Sequence, residues 1–384
     1  MRTALIGAFF VVLGGVAVAT GILSPSALLA LLDRVAPILG FVVGLTIVAD
    51  LAAEAGLFSW LAGVASRFSL GRTWVLWLLV VVLSLLCTVF LSLDTTAVLL
   101  TPVVVLVARR VGVPPLPFAL TTVWLANCGS MLLPVSNLTN LLAVNVLGSP
   151  SPVTFAALVA PAALVGVVVP VAAVGLRYRR ELSTRFTAPA IDAPDDRVLF
   201  GVAAGVTVAL VPALVSGIPV WIPAAVGALV LVVVFAVRRP AALRLTLVPW
   251  GTLLFASGLF LVVAAAESLG LAALLTGAVG SGTSLPALLR LAGGSAVAAN
   301  LVNNLPAYLA LETVTQGSPL RVVAVLVGVN IGCIVTPWAS LATLLWHGRL
   351  TALDVHVPWG RYMLAGLGVA VVAVPLAVVA LAVA

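Results

Sequence analysis

Apolar stretches of about twenty residues follow one another from the N-terminus to the last residue, each long enough to cross a bilayer as a helix. A transmembrane barrel would instead alternate polarity over segments of about ten residues. The runs here are continuous and rich in Leu, Val and Ala. A single soluble core would need polar faces, and a chain 63% hydrophobic and 8% charged has too few polar residues to supply them. The expected fold is therefore an all-α polytopic membrane protein, one membrane domain over 1–384, with about 10–12 membrane segments.

The spans fall near 4–23, 35–58, 73–93, 94–110, 118–147, 153–176, 198–216, 220–237, 247–268, 284–312, 320–347 and 360–384. The first run is longer than the 7–15 apolar residues of a cleaved signal and reads as a retained helix. All 18 basic residues are Arg, and they lie in short loops, where they set topology rather than bind nucleic acid. The longest polar break, 177–197, carries five Arg and four acids and reads as a cytoplasmic linker loop too short to form a core. With that loop inside, only Arg34, Arg290 and Arg321 fall outside, a bias expected of a multi-pass protein of the inner (cytoplasmic) membrane.

Two parts of the chain echo each other. GLTIVADLAAEAGL (44–57) pairs with GLFLVVAAAESLGL (258–271), and NCGSMLLP (127–134) with NIGCIVTP (330–337). LDTTA (93–97) aligns between these anchors with NNLPA (303–307). The first unit, 35–147, enters the membrane from outside and the second, 249–347, from inside. Two inverted repeats of this kind place a transporter's site near the midplane, on discontinuous helices and re-entrant hairpins.

The segments that carry chemistry are 124–142 and 330–346. Each has a polar Asn-x-Gly-x cluster, a Pro, and then Ser, Asn or Thr in apolar surroundings. Pro134, Pro306 and Pro337 are expected helix breaks. Backbone opened at membrane depth must be buried in protein or line a polar cavity. The candidate substrate- and ion-binding residues are Asp94, Thr95, Thr96, Asn127, Gly129, Ser130, Ser136, Asn137, Thr139, Asn140, Asn303, Asn304, Asn330, Gly332, Thr336, Ser340 and Thr343. The same Ser, Thr and Asn side chains could instead tie helices together. Asp94, the sole acid in 70–180, is the candidate proton carrier, with a helix cap beside Thr95 and Thr96 as the alternative. Glu54, Glu267 and Glu312 read as helix ends, and Asp50 is left undecided. Cys128 and Cys333 suit small-residue packing or a thiophilic solute, and no spacing suggests a disulfide or a metal site.

Four of these stretches resemble the ion transporter superfamily that includes arsenite efflux permeases and sodium/dicarboxylate symporters. DTTAVLLTP (94–102), PVSNLTNLL (134–142), NNLPA (303–307) and TPWASLATLLW (336–346) are similar to motifs of the arsenite permease branch, across roughly 40–360. The resemblance implies an inverted-repeat transporter with a dimerising scaffold and a mobile part, a homodimer in that event, exporting arsenite or antimonite against proton entry. The permeases carry Asn-Asp where this chain has Leu93–Asp94, which leaves open a neighbouring branch with another substrate. The symporters' Ser-Asn-Thr triplets are intact at neither 136–138 nor 340–342. A small solute and a coupling proton or sodium are the expected partners, with no cofactor, no nucleic acid and no enzymatic constellation. The chain has no nucleotide-binding loop of its own, and a separate soluble ATPase partner stays open. The alternative function is a sodium- or proton-coupled carrier of organic or inorganic anions.

Overall fold

A computed structural model describes residues 2–187 and 193–384, of which the helical share is 82% with no strand among them. The chain is thus an all-helical, multi-pass membrane protein. Among the described residues, eight helices are long and apolar enough to cross a bilayer.

Helix α1 (Arg2–Ala19) and α2 (Pro25–Glu54) lead into the short α3 (Leu57–Phe68). Helix α4 (Thr73–Leu91) reverses at Ser92 into α5, which runs unbroken through Leu93–Thr95, a π turn at Thr96–Leu100, and Thr101–Arg110. Then come α6 (Leu116–Cys128), α7 (Leu138–Val146), α8 (Pro152–Arg177), α9 (Arg197–Val215) and α10 (Trp221–Arg238). The second part holds α11 (Trp250–Ser268), α12 (Leu271–Val279), α13 (Leu285–Val302) and α14 (Asn304–Glu312). It ends with α15 (Pro319–Leu326) running into a π turn at Val327–Ile331, α16 (Leu341–Ala352) and α17 (Trp359–Val383).

Local chemistry explains most boundaries. Ser24 and Ser151 cap α2 and α8 with their hydroxyls, each followed by a Pro whose missing N–H would be unpaired in a first turn anyway. Asp196 caps α9 and pairs with Arg238 at 2.8 Å, and that guanidinium with the α9 N–H groups holds its carboxyl below the usual range. The stretches 118–147, 284–312 and 320–347, each read from sequence as one segment, are each interrupted. The break in 284–312 falls at Asn303 rather than at Pro306, which sits in the first turn of α14, where a proline costs no hydrogen bond.

Small residues set the main helix contacts, as expected where lipid offers no hydrophobic incentive for helices to associate. Helix α1 lies on α11, where a Cβ on Gly258 would sit 2.6 Å from the backbone nitrogen of Val11. Helix α2 lies on α10, with Gly44 against Ala224, and α8 lies on α17. The helix preceding each part therefore packs on the first helix of the other part.

Two of the three arginines expected outside cap helix carbonyls. Arg290 donates to Gly277 and Ala278, and Arg321 to Gly280, Gly282 and Val314. The linker loop docks on the α3–α4 turn through Phe186 N–H to Gly71 O and the paired hydroxyls of Thr73 and Thr184. Its residues 188–192 lie outside the described part.

Candidate functional site

Four helix starts meet at one cavity. Ser92 and Asn303 end α4 and α13 with backbone angles (φ 97°, ψ 160° and φ 110°, ψ 154°) that side-chain-bearing residues rarely adopt. Such a conformation costs roughly 1–3 kcal/mol and persists only where the surroundings impose it. Both residues then cap the next helix, Ser92 accepting from Thr95 N–H and Asn303 from Leu305 N–H. The other two starts follow the prolines. Pro134–Ser136 and Pro337–Ala339 each form one 3-10 turn, and extended Asn137 and Ser340 then open α7 and α16.

All four of these residues line a cavity of about 80 Å³. Asp94 and Asn304 line it too, together with Phe41, Leu45 and Thr46 of α2 and Thr252 and Phe255 of α11. The Ser340 hydroxyl is fully buried and has no hydrogen-bond partner. No Arg or His lines the cavity, and Asp94 is its single ionisable side chain. Each helix start carries roughly half a positive charge, so four together oppose the one carboxylate with roughly two.

Most of the other sequence candidates sit deeper, where the two broken segments cross. Asn330 is the hub. Its Oδ1 accepts from Asn137 Nδ2 at 3.2 Å and from the Thr139 hydroxyl at 2.9 Å, while its Nδ2 donates to Asn140 Oδ1 at 2.9 Å. Asn140 Nδ2 donates to the carbonyls of Ser130 and Leu133, and the Ser130 hydroxyl to Asn127 O. Asn127 reaches Thr343, which also meets Tyr362. Gly129 opens a buried 3-10 turn, and Gly332 packs so close to α13 that a Cβ would collide with Ala296. Cys128 and Cys333 belong to the same crossing, their thiols directed at Ile331 O and Asn127 Oδ1.

Hydroxyls around the first reversal point at protein rather than at the cavity. Thr95 donates to Leu91 O, Thr96 pairs with Thr88, and Ser136 donates to Val89 O. At the second reversal Thr336 donates to Asn300 O, while Asn303 Nδ2 donates to Trp338 O. The geometry thus separates the candidates. Asp94, Asn137, Asn303, Asn304 and Ser340 line the cavity, whereas Asn127, Ser130, Thr139, Asn140, Asn330 and Thr343 tie the crossing.

The sequence reading missed Ser92 and Asn300. Asn300 accepts at Oδ1 from Thr336 N–H, accepts at its carbonyl from Trp338 Nε1, and donates to Gly332 O, so it holds the second broken segment to α13. Its spacing to Asn303 and Asn304 is that of one helical face, a signal present in the sequence although α13 ends at Val302.

Comparison with known proteins agrees with this architecture. Residues 2–318 match the family model described as citrate transporter, CitMHS. The arsenical pump membrane protein of Escherichia coli K12 is 27% identical over 350 residues, covering 85% of this chain and 81% of that protein. The arsenical pump membrane protein of Yersinia enterocolitica is also 27% identical, over 352 residues, with the same coverage. Among solved structures, the YdaH transporter of Alcanivorax borkumensis superposes with a TM-score of 0.59 at 17% identity, over 100% of this chain and 97% of that one, which shows a shared fold. The chain is not an enzyme but a membrane transporter, and it belongs to the CitMHS citrate transporter family.

Proposed function

We propose that the protein is a secondary transporter of the cell inner membrane that exports arsenite or antimonite in exchange for protons. The observation that carries this reading is the cavity itself. It offers hydroxyls, amides and helix N–H groups around one carboxylate, with no cationic side chain. Arsenite near neutral pH is an uncharged trihydroxide, which such groups can hold by hydrogen bonds without a counter-ion. A cavity of about 80 Å³ has room for roughly three waters, which suits a solute of a few atoms better than a tricarboxylate. The names of the arsenical pump relatives point the same way.

In this reading 35–147 and 249–347 are inverted repeats joined by the cytoplasmic linker 177–197. Support comes from the matched angles at Ser92 and Asn303, the left-handed Gly56 and Gly270 that open α3 and α12, and the reciprocal packing of α1 on α11 and α10 on α2. Ser340 and Asn304 hold the trihydroxide. Asp94 carries the coupling proton, since it is the one titratable group in the cavity. The protonated carboxyl leaves the helix starts unopposed, and the ionised one offsets about half of their charge.

A second reading is favoured by those same helix starts. Four of them could hold a small anion without arginine, driven by sodium or protons. One experiment separates the two. Everted vesicles containing the protein should accumulate arsenite when acidified inside, and Asp94→Asn should abolish this while leaving the protein in the membrane. Sodium-dependent uptake of a carboxylate by proteoliposomes, with no arsenite accumulation, would sink the first reading in favour of the second.

A further inference from the structure

One pair of opposite charges flanks the cavity along the helices that line it. Arg34 of α2 makes a two-pronged contact with Glu312 of α14, Nη1 to Oε1 and Nη2 to Oε2, both 2.8 Å. Arg34 precedes the cavity residue Phe41 by seven positions, and Glu312 follows the cavity residue Leu305 by seven. At 1.5 Å per residue both charges lie about 10 Å from the cavity. With the Arg-rich loops inside, that is its outer side.

We propose that Arg34–Glu312 is the outer gate of the transport cavity, shut in this structure. The position of the cavity agrees. Thr252 and Ala256 line it from only about 3–9 Å inside the cytoplasmic end of α11, whose outer end is much further away. A solute there is near the inner surface and is separated from the outside by the ion pair. The pair has the features of a contact meant to break. Within it Arg34 Nε is buried without a partner, so the closed state leaves hydrogen-bonding capacity unused. A static pair with Glu312 buried and Arg34 half-buried would contribute little net stability, which makes a switching role the better account of its presence.

The test reads conformation and needs no solute, though it rests on the cavity being the transport site. A single reporter, Thr252→Cys, is labelled by a membrane-impermeant thiol reagent in right-side-out and everted vesicles. The native Cys87, Cys128 and Cys333 are buried and provide the blank. With otherwise native sequence, labelling from inside should be at least about tenfold faster than from outside. Glu312→Gln should raise outside labelling about tenfold. Because loss of one buried charge could harm folding, the exchanged pair Arg34→Glu with Glu312→Arg must return outside labelling to the native rate. Native protein labelled faster from outside, or a Glu312→Gln protein labelled as the native one, overturns the gate. A wrong solute assignment would leave every one of these rates unchanged and would appear only in the arsenite flux.

Discussion

Replacing Asn330 by alanine should destabilise the crossing of the two broken segments, and Asn137 is the one cavity-lining residue that loses a bond to it. The side chain is fully buried and accepts or donates three hydrogen bonds, to Asn137, Thr139 and Asn140. Asn137 Nδ2 keeps its second partner, the Ser130 hydroxyl at 3.1 Å, so two groups are orphaned, the Thr139 hydroxyl and Asn140 Oδ1. Each buried unpaired group costs about 1–3 kcal/mol, while side-chain hydrogen bonds in membrane proteins average nearer ~0.6 kcal/mol. Weighing both, the expected loss is about 2–4 kcal/mol, with a small added cavity cost. Equilibrium unfolding in mixed micelles measures it, and a double-mutant cycle with Asn140→Ala should give a coupling of about 1 kcal/mol. A variant that keeps its stability within about 0.5 kcal/mol yet no longer transports would refute the reasoning, because Asn330 would then act on the solute and not on the fold.

The opposite pattern is expected at Ser340, whose hydroxyl has no partner to lose: Ser340→Ala should leave the unfolding midpoint unchanged and reduce arsenite resistance in a sensitive strain. Gly258→Leu should force α1 off α11, since even a Cβ meets Val11 and Gly7 backbone at 2.6–2.7 Å, and should lower the amount of folded protein recovered from membranes. Asp196 titrates below its ordinary value because of Arg238 and the α9 N–H groups. Its contribution is therefore present above the unfolded value of about 3.9 and lost as pH falls through the lower folded value. Hydrogen exchange at the start of α9 should accelerate only in that acid range, and Asp196→Asn should remove the acid step.

Much of the helical plan was legible in the sequence because its causes are local. Continuous apolar runs and the absence of alternation are properties of neighbouring residues, and they place α4, α8, α9, α10, α11 and α17 within a few positions, whereas α2 starts at Pro25, ten residues before the run read from 35. The breaks after Cys128 and Ile331 were legible for the same reason, through Pro134 and Pro337. The reversals at Ser92 and Asn303 were not, since neither residue type announces a positive φ, and Pro306 drew the expected break three residues too far along. Ser92 and Asn300 were passed over because a single Ser or Asn in an apolar helix usually only ties helices together.

Which polar residues face the cavity was beyond any local reading. Asn137 and Asn140 lie three residues apart, yet Asn137 lines the cavity while Asn140 is consumed by Asn330, 190 residues away. A hydrogen-bonding side chain buried in protein takes whatever partner the fold brings to it, and that partner is set by how the two broken segments cross. The sequence by itself determined that the chain crosses the membrane many times and opens its backbone in two places. Tertiary structure alone decided that four helix starts meet at Asp94 and that Arg34 finds Glu312 across 278 residues, because through-space pairing of charges and dipoles is invisible to residue order.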